Sequence, residues 1–269
     1  MWGVIGMIFK KFEDLTFSDH YMFEKVLQNE EICKELLERL LKIKIDYLVY
    51  PEIEKTISPY YETKGVRLDV YVKDSDKVFD IELQNALDMD LPFRTRYYQS
   101  MVDTDSLLKG EHYSKLPESF VIFICTYDPF NKNFPIYTFE NRCLEDLNVS
   151  LKDKTIKKFF NAKAYAQEKD VAIKSFLRYI NSREVSDDFT DRIEAFIKDI
   201  KSKEVNRKEY STVNIHDQDI YFKARNEGIC QGAKEKAIET AKNLLSMNLS
   251  IENISKATGL SEEEIKNLQ

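Results

Sequence analysis

The stretch GVRLDVYVKDSDKVFDIELQN, Gly65 to Asn85, constrains the fold of this 269-residue chain more than any other. Apolar and polar residues alternate on both sides of a turn, which is the period of half-buried strands. A two-residue turn at Ser75-Asp76, the simplest hairpin connection, sets Leu68 opposite Leu83, Val70 opposite Ile81 and Val72 opposite Phe79. Three apolar pairs then share one face, which must lie on a core. The same register sets Asp69 opposite Glu82 and Arg67 opposite Gln84 on the other face. Opposed Cβ atoms lie about 4.5–5.5 Å apart. Two carboxylates that close repel unless a cation joins them or one is protonated. A hard ion such as Mg²⁺ suits an oxygen-only pair and keeps several waters of its own. On spacing alone, the alternative is a solvated strand face with Arg67 neutralising the acids.

The rest of the pattern builds around this hairpin. Ser18 and Asp19 are N-cap candidates for a helix beginning near His20. Its apolar positions recur at helical spacing as far as Leu41, with a break at Gln28-Asn29. A strand follows around Glu54 to Pro59, and then the hairpin. Asp90 to Lys109 reads as a helix with Pro92 in its first turn and Gly110 at its end. FVIFICTY, Phe120 to Tyr127, is a continuous apolar run suited to a buried central strand. Asp128-Pro129 ends it, with Asp128 as a turn cap. Strand pieces continue through Ile136 to Phe139 and on to about Ala164.

This order predicts an α/β fold, one mixed β-sheet flanked by helices. Helices are expected over Val171 to Ile180 and Asp188 to Ile200. Residues 201 to 235 are polar and weakly patterned, and 236 to 269 reads as three short helices. The expected organisation is a core with an N-terminal extension over 1–164, a helical region and connector over 165–235, and a small helical tail over 236–269.

A net charge of −7 argues against coating nucleic acid through bulk electrostatics but leaves room for a local basic groove. Cys33, Cys125, Cys143 and Cys230 form no C-x-x-C pair, which suits a reducing cytosol without zinc site or disulfide framework. The opening WGVIGMIF is shorter than the roughly 20 residues that span a bilayer. It reads as an N-terminal extension or packing strand, so the expectation is a cytoplasmic protein with no membrane partner. His20, His112 and His216 have no zinc spacing and read as structural or exposed. No phosphate-binding loop, dinucleotide fingerprint or nucleophile elbow occurs. In the tail, Gly259 and the Ser261–Glu264 capping box outline a helix-turn-helix. Its second helix, EEEIKNLQ, is too acidic and short for a major groove, which favours a packing unit or dimer contact.

The combination D-(x)12-E-x-Q at Asp69, Glu82 and Gln84, in this element order, resembles the PD-(D/E)XK nuclease superfamily. KGVRLDVYV, FDIELQN, LPFRTRYYQSMVD and FVIFICTYDPF, in that order, resemble the Rpn family of recombination-promoting nucleases, also described as putative transposases. The likeness runs from about Asp14 to the C-terminus. It implies a restriction-endonuclease-like core with a helical C-terminal region and a Mg²⁺-dependent DNA endonuclease, Mn²⁺ and Ca²⁺ being alternative ions. A metal-bound water would attack the scissile phosphate, leaving 5′-phosphate and 3′-hydroxyl ends, and the cleavage would promote DNA recombination.

Carried over by position, Asp69 and Glu82 are the implied metal ligands, with the Leu83 backbone carbonyl as a third. Gln84 stands where the superfamily has lysine and is the third implied catalytic residue. A neutral amide can orient water or phosphate but cannot supply positive charge. That departure keeps open a catalytically weak DNA-binding or assembly protein, and a ribonuclease also stays open. Arg67, Arg94, Arg96, Tyr98 and Gln99 are the implied substrate-binding residues; Arg94 and Tyr98, four apart, share a helix face. Glu24 and Glu54 are candidates for an upstream acid, and Lys64 for the missing lysine. DNA is the implied partner, with a homodimer left open.

Overall fold

The computed structural model describes residues 10–58 and 64–268. The packing strand expected at WGVIGMIF and the strand end expected at Pro59 lie outside the described residues. Six strands form one mixed sheet in the order β1-β2-β3-β4-β6-β5. They are β1 Val49–Ile57, β2 Val66–Lys73, β3 Lys77–Gln84, β4 Glu118–Cys125, β5 Ile136–Phe139 and β6 Thr155–Asn161. β3, β4 and β6 run parallel to one another, and the other pairings are antiparallel. β4 has parallel neighbours on both sides and is buried on both faces, which is why its sequence is an unbroken apolar run.

The hairpin adopts the expected register. Asp74 N–H donates to the Lys77 carbonyl at 2.9 Å across Ser75-Asp76, and Val70 pairs with Ile81 and Val72 with Phe79. Val70, Val72, Phe79, Ile81 and Leu83 are all buried. The opposite face is covered too: helix α3, Leu91–Ser106, lies over it. There Leu91 packs with Val121, Phe123 and Cys125, and the Tyr71 hydroxyl donates to Asp105 at 3.0 Å. Asp80, Glu82 and Gln84 are therefore enclosed beneath a helix rather than exposed on a solvated face.

The remaining helices of this part are α1 His20–Leu27, α2 Glu30–Leu41, α4 Val171–Ser182 and α5 Asp188–Ser202. They pack on one another, with α1 reaching β2 and α2 reaching β1. The break at Gln28-Asn29 is real: the Asn29 side chain caps α2 by accepting from Ile32 N–H at 3.0 Å. Phe17 ties α4 to the α1 region, its ring 6.0 Å from those of Phe176 and Tyr179.

Asp128 is the turn cap the sequence suggests. Its carboxylate accepts from the amides of Phe130 (3.1 Å), Asn131 (3.0 Å) and Asn133 (2.6 Å) and from the Tyr137 hydroxyl (2.7 Å). Hydrogen bonds to a charged acceptor are worth more than neutral ones, so Asp128→Ala is expected to cost about 2–4 kcal/mol in a urea melt. Asp128→Asn should recover part of that loss.

Three elements differ from expectation. β1 begins at Val49, earlier than Glu54, because Pro51 is tolerated on an edge strand, beside a register shift between Val49 and Glu52. Gly110 does not cap α3: the helix ends at Ser106, Leu107 leaves in extended conformation, and Gly110 turns the following loop at φ +91°. Residues 204–246 form a single helix, α6 Glu204–Ser246. A helix without an apolar stripe leaves no period to read.

By its contacts the chain divides into two compact units, Met1–Asn206 and Arg207–Gln269, so α4 and α5 belong to the first. In the second, the end of α6 packs with α7 Ile251–Thr258 and α8 Glu262–Lys266 around Ala241, Ile254, Leu260 and Ile265. Gly259 at φ +76° ends α7, and Ser261 and Glu264 close the expected capping box.

Candidate active site

The β2–β3 ladder ends at Val70–Ile81, and beyond it two acids replace backbone pairing. Asp69 N–H donates to Glu82 Oε1 at 2.8 Å, and Leu83 N–H donates to Asp69 Oδ2 at 3.0 Å. Each carboxylate is thus tied to the other's strand. The N–H and C=O of one strand residue leave the same edge. The Leu83 carbonyl therefore points along the edge where Asp69 sits, while the Gln84 carbonyl accepts from Thr126 on the far edge at 3.1 Å.

Asp80, two residues before Glu82 on the same face and opposite Tyr71, is fully buried. Neither of its carboxylate oxygens has a hydrogen-bond partner among the described residues. Burial pushes Asp80 and Glu82 well above the usual carboxylate range, and the charge of Asp69 pushes both the same way. Three acids so placed call for a proton or a cation.

Two basic groups flank them. His20, first residue of α1, holds Nδ1 3.5 Å from Asp69 Oδ2, and that hydrogen bond raises its pKa. Arg94 on α3 donates to Gln84 Oε1 (3.2 Å), Asp88 Oδ2 (2.8 Å) and the Tyr98 hydroxyl (3.2 Å), and lies 3.9 Å from Glu82 Oε2. Gln84 Nε2 is committed to the Ala86 carbonyl at 2.7 Å. Glu24, one turn along α1 from His20, is pushed up to about 8 by burial, then by Glu54 and Asp69. Glu54, at φ +51°, pairs with Arg67 at 3.3 Å.

The structure thus brings Asp69, Glu82, Leu83, Gln84, Arg94 and Tyr98 together, with Glu24 beside them. Arg67 sits on Glu54 and does not neutralise the central pair. Arg96 faces away from the acids and lies over the exposed Phe93 ring at 6.0 Å. Gln99 is not brought to the acids: it is buried and donates to Ser119 Oγ (2.6 Å) and Asp103 (3.0 Å), near the opposite end of β4 from Gln84's partner Cys125. The R-x-R-Y-Y-Q block spans more than one full helical turn, so its members cannot all face one site. Lys64 is exposed ahead of β2, its carbonyl accepting from the Tyr97 hydroxyl, and is not brought to the acids.

Two residues were missed. Strand alternation already put Asp80 on the face of Glu82 and Gln84. His20 carried no comparable signal, because only the tertiary approach of α1 to β2 brings it to Asp69.

No group of three or more His, Cys, Asp or Glu side chains forms a ready metal cage among the described residues. The donors present nonetheless fit a hard divalent ion: carboxylate oxygens, one strand-edge carbonyl and, beneath them, two orphaned oxygens of Asp80. A family model described as PD-(D/E)XK nuclease family transposase matches residues 11–163, more than half of the chain. No curated protein and no solved structure matches it.

Proposed function

The chain belongs to the PD-(D/E)XK nuclease family transposases, and on that premise we propose that it is a Mg²⁺-dependent DNA endonuclease whose cuts promote recombination. The observation that carries this reading is the reciprocal tie between Asp69 and Glu82 above the unpartnered Asp80. Asp69, Glu82 and the Leu83 carbonyl would hold the ion, Mn²⁺ or Ca²⁺ being alternatives. Bound there, the metal would supply an activated water and a Lewis acid for the phosphodiester.

The chain's own groups do the rest. Arg94 presents a forked donor to a phosphate oxygen, exchanging its bonds to Gln84 and Tyr98 for the substrate. Gln84, once released by Arg94, offers its Oε1 to orient the attacking water. His20 balances the charge of Asp69 from the α1 side. A cytoplasmic location and a DNA partner go with this reading, and no described helix is long and apolar enough to cross a membrane.

Arg94→Lys keeps the charge but loses the fork. The charge-assisted hydrogen bonds at stake predict a fall in kcat/KM of about 10–100-fold, read on a labelled duplex at fixed salt.

One observation favours a second reading. With Gln84 Nε2 held by Ala86 and no lysine brought to the acids among the described residues, position 84 offers no free donor to the nucleophile. That arrangement suits a protein that grips DNA and cuts it weakly. Incubation of the full chain with supercoiled plasmid separates the two. Nicking with Mg²⁺ that stops in EDTA supports the nuclease. Plasmid that is shifted in a gel but stays intact with Mg²⁺, Mn²⁺ and Ca²⁺ overturns it in favour of the binding protein. An RNA duplex run in parallel identifies a ribonuclease if it alone is cut.

A further inference from the structure

Arg94 lies between two carboxylates and bonds one of them. Its Nη1 donates to Asp88 Oδ2 at 2.8 Å, while Nη2 stops 3.9 Å from Glu82 Oε2, beyond hydrogen-bond reach. Its other contacts are to neutral groups, Nη1 to Gln84 Oε1 and Nη2 to the Tyr98 hydroxyl, both at 3.2 Å. Asp88 is thus the carboxylate that takes the guanidinium, and it does so at the shortest distance.

Asp88 is itself fixed in place. Its Oδ1 accepts from Asp90 N–H at 2.8 Å, the side-chain turn that aspartate favours. Its backbone carbonyl accepts from Leu91 N–H at 3.3 Å, and Leu91 is buried against Val121, Phe123 and Cys125. The bond to Arg94 holds the Asp88 carboxyl below the usual carboxylate range. Asp90, the other acid of this segment, is exposed and its side chain makes no cap bond.

The position of Arg94 matters most for Glu82. Asp69 N–H occupies Glu82 Oε1, which leaves Oε2 for an ion, and Oε2 is the oxygen that Arg94 approaches. Opposite charges attract strongly where water is scarce, and a guanidinium fork fits a carboxylate well. Freed from Asp88, Arg94 has Glu82 as the next carboxylate in reach. An arginine seated there would compete with a cation for the same oxygen.

We infer that Asp88 is a positioning residue: it holds Arg94 back from Glu82, so that Glu82 stays open to a divalent cation and the guanidinium stays beside it for a phosphate. This rests on the nuclease reading and adds what keeps that site open before substrate arrives.

The test is calorimetric titration of Mn²⁺ into the full chain, comparing wild type, Asp88→Asn, Arg94→Gln and the double variant. Asp88→Asn should weaken Mn²⁺ binding by about tenfold, inside the roughly 2–150-fold range that coupled neighbours in one hydrogen-bond network show. In the Arg94→Gln background the same substitution should change affinity by less than about twofold, because no guanidinium is left to fall back on Glu82. Asp90→Asn removes a neighbouring charge and should leave binding as in wild type. Asparagine at 88 keeps an oxygen for Asp90 N–H, and thermal melts in EDTA check that each variant is folded. Asp88→Ala, which removes both side-chain contacts, should weaken binding at least as much as Asp88→Asn.

Mn²⁺ affinity in Asp88→Asn equal to or tighter than wild type overturns the inference. So does an equal loss with and without Arg94, which would reduce Asp88 to one more negative charge near the site. In those cases Mn²⁺ uptake by wild type that Asp69→Asn abolishes leaves the nuclease reading standing. A folded wild type that takes up no Mn²⁺ removes that reading and the role of Asp88 with it.

Discussion

Asp69→Asn and Glu82→Gln are each expected to reduce plasmid cleavage by about a thousandfold or more, the scale of the several kcal/mol that a metal supplies to a phosphodiester transition state. These substitutions are chosen because they retain oxygen acceptors. Asn at 69 can still accept from Leu83 N–H, and Gln at 82 can still accept from Asp69 N–H. The folded site is kept while its charge is reduced. Glu82→Gln should even stabilise the metal-free protein at neutral pH, since burial and the neighbouring acids disfavour the ionised form. Alanine at either position also orphans a backbone donor, which costs about 1–3 kcal/mol. A drop in activity paired with an unchanged or raised Tm therefore separates lost chemistry from lost structure. Cleavage by both variants within tenfold of wild type would sink the assignment.

The second large effect concerns pH. Glu24 is raised from 4.5 to about 8 by burial, with Glu54 and Asp69 adding repulsion. The folded protein therefore holds that proton more tightly than the unfolded chain. The stability this gives is fully present below about pH 4.5 and is lost as pH rises through about 8. Metal-free protein is expected to lose Tm between pH 5 and pH 9, and Glu24→Gln should flatten the decline. At about 2–4 °C per kcal/mol for a domain near this size, and 1.36 kcal/mol per pKa unit, a difference of roughly 5 °C or more should open at pH 9 and vanish at pH 4. Parallel curves for the two proteins would show that Glu24 is not strained.

Much of this was legible because it depends on period two. The alternation in VRLDVYV and VFDIELQ set the register, the apolar face and the opposition of Asp69 to Glu82; the structure has that ladder from Lys73–Val78 to Val70–Ile81, and Asp69 and Glu82 meet just beyond its end through their side chains. The capping box at Ser261 and the turn at Asp128 followed from short-range hydrogen-bond chemistry, whereas Asp19 stands at the N-cap of α1 but accepts from Thr16 instead of capping it. What stayed hidden depends on tertiary approach. Alternation says that Asp80, Glu82 and Gln84 share a face, but not that α3 buries it. His20 reaches Asp69 across 49 positions of chain, which no local pattern encodes. The R-x-R-Y-Y-Q block divides for a helical reason. Arg94 and Tyr98 point to the acids, Arg96 points to solvent, and Gln99 points into the sheet. The long α6 was invisible because residues 204 to 235 carry no apolar period from which a helix could be read.

The central claim is that Asp69 and Glu82 together hold a divalent cation, and calorimetric titration of Mn²⁺ into the full-length protein at pH 7.5 tests it most directly. The account predicts saturable binding in wild type that Asp69→Asn abolishes, with Mg²⁺ competing for the same site. Binding that persists unchanged in Asp69→Asn, or a folded wild type that takes up neither ion, would contradict it.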